Sequence, residues 1–299
     1  MKGQKLYLTA KKIILGGNML LSKRPEMTLP NLWPSYYSKA KKIHVWDLNN
    51  KKYIDMIFFV GQNILGYANE KVDRYVLGNA AKGNMTSLNC PEEVMLAKKL
   101  INLHPWAGMA KFARSGGEAN AMSIRIARAA SKKDHIAICG YHGWHDWYLS
   151  VNLKGKDKLN EHHLPGLLPD GVPKNLKDTV HPFRYGDFEK LKNISKKYKL
   201  AAIKMEVARN DLPDKKFLTK VRKFATKNKI ILIFDECTSG FRRNLGGLHM
   251  TQKIYPDMCM FGKALGNGYA ITAVIGKKEI MNKAKDSFIS STFWTERIG

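Results

Sequence analysis

The chain has 299 residues, 44% of them hydrophobic, which is enough to bury the core of one large domain or two smaller ones. No apolar run approaches the roughly 18 residues that span a bilayer, and Gly16, Gly17 and Asn18 interrupt the basic N-terminal segment, so we expect no membrane span, no secretory leader and a cytoplasmic location. The formal charge of +26 favours anionic ligands, and four scattered cysteines without a CxxC pair argue against a disulfide framework and a zinc site.

The first fifty-odd residues predict an irregular arm that leads into two short strands. Three prolines punctuate the arm, and the predicted strands IHVWDL and KKYIDMIF are joined by a turn at Asn49 and Asn50. From about Glu70 the pattern changes to helices that alternate with short apolar strands. We therefore divide the chain into an arm with small-domain strands at 1–57 and a large domain at 58–299.

Apolar runs in the large domain predict the strands MAKFA, HIAIC, LAAIKMEV, IILIFDE and DMCMF. Helical patterns separate them, and this alternation predicts an α/β fold in which helices flank a mostly parallel central sheet. Ligands of such sheets bind beyond the carboxyl ends of the strands. Polar or glycine-rich residues stand at the carboxyl end of every one of these strands, namely RSGGEA, GYHGWHD, Glu206, DECTSGFR and GKALGNG. The sequence thus predicts a ligand site at this edge of the sheet.

Two of these strand ends predict an anion site and a buried acid. Gly116 and Gly117 stand between a strand and a helix, where free backbone N–H groups can hold phosphate, although an ordinary tight turn has the same pattern. Asp235 ends an apolar run and must pair with a cation or accept strong hydrogen bonds, because an unpaired buried carboxylate is costly. A Walker B strand would need a GxxxxGK[ST] loop upstream, which the sequence lacks.

The GYHGWHD segment could hold a metal or a planar ligand. His142 and His145 are three residues apart with Asp146 adjacent, but the intervening glycine and tryptophan favour a loop. No third ligand has metal spacing, so we predict no metal site. Tyr141 is better suited to stacking against a planar ligand.

Lys263 follows a predicted strand directly and has glycine at 262, 266 and 268. Glycine lets a backbone approach a ligand closely. A lysine here could be merely exposed, could bind phosphate as a point charge, or could form a Schiff base, which needs a desolvated amine with a lowered pKa. One ligand uses a phosphate cradle, a stacking ring, a buried carboxylate and a lysine nucleophile together, and that ligand is pyridoxal 5'-phosphate.

Four blocks carry a resemblance to a known family: RSGGEANAMSIRIARAAS, GYHGWHDWYLS, IFDECTSGFRR and PDMCMFGKALGNGYAITAVIG. They resemble the class III aminotransferases, and among these the proteins similar to glutamate-1-semialdehyde 2,1-aminomutase. The resemblance runs from about Gly16 to the last residue. It implies fold type I of the pyridoxal-phosphate-dependent transferases and a small-molecule amino or keto substrate.

The resemblance also implies roles for the central residues. Lys263 would form the internal aldimine with the cofactor and later carry the proton between Cα and C4′. Asp235 would pair with the pyridine nitrogen, since opposite charges ~4 Å apart at an effective dielectric of about 20 gain roughly 4 kcal/mol, about three pKa units. Gly116 and Gly117 would bind the phosphate through N–H groups, without the hydroxyl that relatives often carry at the second position.

The remaining predicted contacts follow from the same resemblance. Tyr141 would stack on the cofactor ring with His142 beside it, and Cys237 would replace an aliphatic residue on the opposite face. Glu206 would lie near the phenolic oxygen of the cofactor or near the substrate. Thr292 matches a threonine that reaches the phosphate of a neighbouring subunit, so the resemblance implies a homodimer with sites at its interface.

Two features depart from the family. The chain stops at Gly299, where family members continue, so we expect the C-terminal small domain to be absent from this chain, and TFWTER replaces a more usual glycine-asparagine-proline turn. Four further residues could line the substrate end or could be ordinary loop and core residues: Arg24, Trp33, Gln62 and Asn63.

Three functions stay open from the sequence alone. Aminomutase-like amino-group transfer is the first. The N-terminal GGNMLLSKRPEM also resembles a subgroup associated with intermolecular transamination of keto, aldehyde or sugar-precursor metabolites. The third is a basic nucleic-acid-binding protein in which Lys263 only contacts phosphate. We predict no nucleic-acid partner, because the lysines are spread over the whole chain and no nucleic-acid-reading motif occurs.

Overall fold

The computed structural model describes residues 1–155, 157–160, 162, 166–208 and 212–299. These residues form two compact units, Met1–Gly78 and Asn79–Gly299. Their α-helical segments are α1 Lys2–Ile13, α2 Phe58–Gly61, α3 Glu70–Ala80, α4 Pro91–Leu103, α5 Gly116–Ser131, α6 Asp146–Leu149, α7 Phe188–Lys197, α8 Lys215–Lys227, α9 Leu248–Gln252 and α10 Lys278–Met281. Their strands are β1 Tyr37–Lys41, β2 His44–Asp47, β3 Lys52–Ile54, β4 Met109–Ala113, β5 His135–Cys139, β6 Val180–Pro182, β7 Leu200–Glu206, β8 Ile231–Glu236, β9 Met258–Phe261 and β10 Thr272–Gly276.

The first unit begins with a helix, so the prediction of an irregular arm is wrong for residues 2–13. In α1, Gly3, Tyr7 and Ala10 recur at helical spacing and are buried, while the lysines of the helix face solvent. The apolar stripe is too narrow to be recognised in the sequence among so many basic residues. The predicted division of the chain after residue 57 stays a prediction.

The first unit also holds an antiparallel sheet in the order β1-β2-β3. Strands β2 and β3 correspond to the two predicted strands, and Asn50 in the turn between them has a φ of 63°. Strand β1 was not predicted, because its side chains are mostly exposed and lack the alternation of a half-buried strand.

The second unit contains a seven-stranded sheet in the order β4-β10-β9-β8-β7-β5-β6. Parallel pairs join β6 to β5, β5 to β7, β7 to β8 and β8 to β9, whereas β10 is antiparallel to both β4 and β9. Helix α5 packs on one face of the sheet, and α7 and α8 pack on the other. The predicted mostly parallel α/β sheet is therefore confirmed.

All five predicted strands of the large domain are present as β4, β5, β7, β8 and β9. Because β10 runs opposite to both of its neighbours, β4 points the same way as β9, and the carboxyl ends of these five strands meet at one edge. The polar segments that follow them lie at that edge. No helix within the described part of the chain is both long and apolar enough to cross a membrane.

Candidate active site

Asp235 and His142 form a buried pair at the centre of this edge. His142 is fully buried, and its Nδ1 donates a hydrogen bond of 2.8 Å to Oδ2 of Asp235. The backbone N–H of Cys237 donates to Oδ1 at 3.1 Å. Burial alone would raise the pKa of Asp235, but the His142 hydrogen bond and the charge of Lys204 outweigh it and lower this pKa to about 2. The carboxylate is therefore ionised.

His142 is correspondingly neutral. Burial lowers the pKa of its imidazole more than Asp235 raises it. Since Nδ1 carries the proton that Asp235 accepts, Nε2 is an acceptor, and it has no hydrogen-bond partner among the described residues. The pair thus places a full negative charge at the end of β8 and fixes the orientation of the ring beside it.

A second carboxylate fixes the segment that follows β5. The backbone N–H of Tyr141 donates to Oε2 of Glu206 at 3.0 Å. Gly140 has a φ of 110°, and a Cβ there would lie 2.9 Å from Cγ of Glu206, so only glycine fits. Glu206 is itself the register partner of Asp235 on the neighbouring strand. The ends of β7 and β8 therefore hold Tyr141 and His142 in place.

Lys263 lies in a tight turn directly after β9. Its Nζ donates a 2.7 Å hydrogen bond to Oγ1 of Thr238, a residue that sequence reasoning missed within the DECTSGFR block. A Cβ at Gly262 would lie 2.8 Å from Sγ of Cys237 and 3.0 Å from Cγ2 of Thr272. The glycine before Lys263 is thus required by close packing, and the amine is anchored to the segment that carries Asp235.

Cys237 lies between the lysine turn and the start of α5. Its Sγ is 3.4 Å from the position of a Cβ on Gly116, and it also packs against Gly262. Burial raises the pKa of the thiol to about 11, although the nearby charge of Lys263 acts in the opposite direction. The side chain is therefore a neutral, small, nearly apolar contact.

The N-terminus of α5 is closed by a capping box. Ser115 Oγ accepts from the Glu118 N–H at 3.3 Å, and Glu118 Oε2 accepts from the Ser115 N–H at 2.7 Å. The N–H groups of Gly116 and Gly117 make no hydrogen bond to another described residue. They are thus available to an anion, and their role in binding phosphate stays a prediction.

Lys204 is a buried cation that sequence reasoning missed. Its Nζ donates to Ser123 Oγ at 3.1 Å and lies 3.5 Å from Sδ of Met260, the register partner of Asp235. Burial lowers the pKa of Lys204 although Asp235 acts to raise it. The signal was present in the sequence, because LAAIKMEV places a lysine inside an otherwise apolar strand.

Thr292 is exposed, and no hydrogen bond places it beside the other predicted residues. Its segment is held by Arg114, whose guanidinium donates to the backbone oxygens of Phe293 at 2.8 Å, Trp294 at 2.9 Å and Glu296. The role of Thr292 toward a neighbouring subunit stays a prediction. Arg24, Trp33, Gln62 and Asn63 lie in the first unit, with Asn63 buried and the other three partly buried.

One set of possible metal ligands lies close together in the described residues: Glu236, His249 and Cys259. The hydrogen bonds of His249 are already complete, since Nδ1 donates to Glu236 Oε1 at 2.7 Å and Nε2 accepts from the Trp106 indole at 3.1 Å. Glu236 also accepts from Ser239 Oγ at 2.6 Å. The set is a buried hydrogen-bond network beneath the sheet edge, and a metal would have to break it.

These residues fit a phosphorylated, cationic ring. The two free glycine N–H groups suit a phosphate, the ionised Asp235 suits a protonated ring nitrogen, and the Lys263 amine suits an aldehyde. The charge of Lys204 acts on Asp235 through space, but no lysine or arginine of the described chain forms an ion pair with this carboxylate, so the direct ion pair is left to a ligand cation.

Comparisons with known proteins agree with this geometry. The family described as Aminotransferase class-III matches residues 30–298, so the chain belongs to the class III aminotransferases. The 3-aminobutyryl-CoA aminotransferase of Cloacimonas acidaminovorans is 34% identical over all of this chain and 70% of its own length. The glutamate-1-semialdehyde 2,1-aminomutase of Wigglesworthia glossinidia brevipalpis is 36% identical, and the match covers 95% of this chain and 66% of the aminomutase. The glutamate-1-semialdehyde 2,1-aminomutase of Sulfolobus acidocaldarius is 33% identical, and the match covers 84% of this chain and 60% of the aminomutase.

Solved structures show the same fold. The FumI protein of Sphingopyxis sp. MTA144, in its PLP internal aldimine form, has a TM-score of 0.87 at 23% identity and covers 99% of this chain and 69% of its own. An omega-transaminase from Sphaerobacter thermophilus has a TM-score of 0.85 at 23% identity, with 99% and 70% covered. These structures confirm the predicted fold class. The family match confirms the predicted enzyme class and pyridoxal 5'-phosphate as its cofactor. The chain spans between 60% and 70% of the length of the relatives named above.

Proposed function

We propose that this chain transfers amino groups in the manner of glutamate-1-semialdehyde 2,1-aminomutase, with Lys263 as the proton carrier and Asp235 as the partner of the ring nitrogen. The observation that carries the proposal is the burial and the hydrogen bonding of Asp235 at the end of β8. This carboxylate is buried and ionised, yet its described partners are a neutral imidazole and a backbone N–H. It is complementary to a cationic ring and would be costly without one.

The side chains of the site divide the work of the reaction. When bound, the cofactor supplies a protonated aromatic ring that withdraws electrons from the substrate Cα. Asp235 holds the proton on the ring nitrogen, and His142 holds Asp235 in its ionised form. Lys263 takes up and returns the substrate proton, and Thr238 orients its amine. Tyr141 would cover one face of the ring and Cys237 the other, while Glu206 positions Tyr141.

An intermolecular aminotransferase is the second candidate function. It is supported by the 34% identity to the 3-aminobutyryl-CoA aminotransferase, which matches the full length of this chain. The two functions share the chemistry at Lys263 and differ in whether the nitrogen returns to the same molecule. Assays with glutamate-1-semialdehyde alone, and with amine donors plus a keto acceptor, separate them, because only the aminomutase turns over without a second substrate.

We further propose that the chain forms a homodimer in the cytoplasm. Large apolar side chains are exposed in the second unit, at Leu88, Val94, Met95, Phe288 and Phe293, and a second copy of the chain is the proposed cover. Thr292, the residue predicted to reach the neighbouring site, adjoins one of these side chains, Phe293. The four cysteines are free, in keeping with a reducing compartment.

The visible absorbance of a lysine-bound cofactor tests the central proposal. We expect the purified protein to become yellow with pyridoxal 5'-phosphate and Lys263→Ala to lose the absorbance. Lys283→Ala, at an exposed lysine, is the matched control and should keep the parent spectrum. A Lys263→Ala spectrum identical to that of the parent would contradict the assignment.

A further inference from the structure

The side chain of His145 occupies the space in front of Gly117. A Cβ on Gly117 would lie 2.5 Å from Cε1 and 2.7 Å from Nδ1 of His145. The loop backbone follows the same surface, since a Cβ on Gly143 would lie 3.1 Å from Cα of Gly117. The imidazole thus stands where a side chain at position 117 would stand, beside the free N–H groups at the start of α5.

His145 Nδ1 has no partner of its own. The atom is buried, and no described residue accepts from it or donates to it. Burial lowers the pKa of the imidazole, although Glu118 and Asp146 act to raise it, so the ring is neutral near pH 7 and one of its nitrogens carries a proton. A buried polar atom without a partner is costly. An acceptor placed at the N-terminus of α5 would remove that cost.

On the basis of the proposed function, we propose that His145 is a phosphate-binding residue whose Nδ1–H donates to the phosphate group held by the N–H groups of Gly116 and Gly117. The side chain replaces the contact that glycine cannot make at position 117. His145 also precedes α6, but its side chain makes no capping hydrogen bond there. A packing role against Trp144, whose ring centre is 4.8 Å away, would be indifferent to phosphate.

The test compares ligands that differ only in the phosphate. Dissociation constants for pyridoxal 5'-phosphate and for pyridoxal are measured for the parent, His145→Phe and His145→Gln. Phenylalanine keeps the ring that packs on Gly117, and glutamine keeps a donor. We expect His145→Phe to weaken the phosphorylated ligand about tenfold or more, because hydrogen bonds to charged groups are the stronger class. Pyridoxal affinity should stay within about twofold, and His145→Gln should recover part of the loss.

Inorganic phosphate supplies a measurement that does not depend on Lys263. It should raise the Tm of the parent and of Lys263→Ala, and His145→Phe should need about tenfold more phosphate for the same increase. The proposal would be overturned if His145→Phe weakened the binding of pyridoxal and of pyridoxal 5'-phosphate equally. It would also be overturned if His145→Phe weakened the binding of neither ligand. If the parent forms no visible lysine-bound species but His145→Phe still weakens phosphate binding, the proposed function fails and the assignment of His145 stands.

Discussion

Nδ1 of His142 lies 2.8 Å from Oδ2 of Asp235, and both side chains are almost fully buried. Between them they hold one proton, on Nδ1, and one negative charge, on the carboxylate. A neutral amide at position 235 would keep the shape of this pair but would lose the charge. The pair therefore allows the electrostatic and steric contributions of the site to be separated.

Asp235→Asn should lower kcat/KM for amino transfer about a thousandfold, because roughly 4 kcal/mol of ring protonation is lost and each 1.4 kcal/mol is a factor of ten. Steady-state kinetics measures this, and circular dichroism checks the fold. Asp286→Asn, at an exposed carboxylate, is the matched control and should keep parental activity. Comparable activity in the two variants would show that Asp235 does not act on the ring.

The same carboxylate predicts how stability depends on acid. Its folded-state pKa is lowered from a usual 3.8 to about 2, so its stabilising contribution is present above pH 4 and is lost as pH falls toward 2. Without cofactor, the free energy of unfolding of the parent should fall by about 2 kcal/mol more than that of Asp235→Asn between pH 5 and pH 2. Urea titrations across this range measure the difference. Parallel curves would mean that the folded protein does not shift this pKa.

Gly140→Ala should destabilise the protein by about 2 kcal/mol or more, since the new methyl group would meet the Glu206 side chain at a positive φ. Gly171 also has a positive φ, of 86°, but nothing lies within 4 Å of its Cβ position. Gly171→Ala should therefore cost only about 1 kcal/mol of backbone strain. Urea unfolding measures the loss of stability in each of the two variants. Equal losses would show that contact with Glu206 adds nothing to the cost of Gly140→Ala.

Lys204→Met should raise the free energy of unfolding at pH 7 by about 1 kcal/mol or more, because the cost of burying the amine against a hydroxyl and a thioether exceeds its attraction to Asp235. The pKa of Lys204 is lowered by folding, so the unfolded chain binds more protons up to about pH 10.5 and the parent gains stability as pH rises. The advantage of Lys204→Met should shrink toward that pH. An advantage that grows with pH would contradict this assignment.

The parts of the fold that could be predicted from the sequence are those in which a residue pattern is compatible with only one kind of structure. Apolar runs such as IILIFDE form buried strands, and Asp235 at the end of such a run had to find a partner. Helix α1 was missed because only Gly3, Tyr7 and Ala10 are buried among many lysines. Strand β6 has three residues, too few to show any period.

Contacts between distant segments were beyond the sequence. Thr238 was within a recognised block, but nothing in the block indicates that its hydroxyl meets Lys263, 25 residues later. His145 was considered only as a metal ligand, because its contact with Gly117 depends on how two strand ends are spaced in the sheet. The sequence indicates that Asp235 needs a partner, but it does not identify His142 as that partner.

Arg114 binds the segment after Ser291 through main-chain oxygens of Phe293, Trp294 and Glu296. Such an anchor is largely indifferent to which amino acids occupy these positions, since every residue offers the same carbonyl group. The exposed side chains of Thr292 and Phe293 are therefore free to diverge while the path of the chain is kept, whereas Trp294 donates to Glu118 and Arg297 pairs with Glu92. Substitutions at these two exposed positions carry no penalty for the folding of the segment.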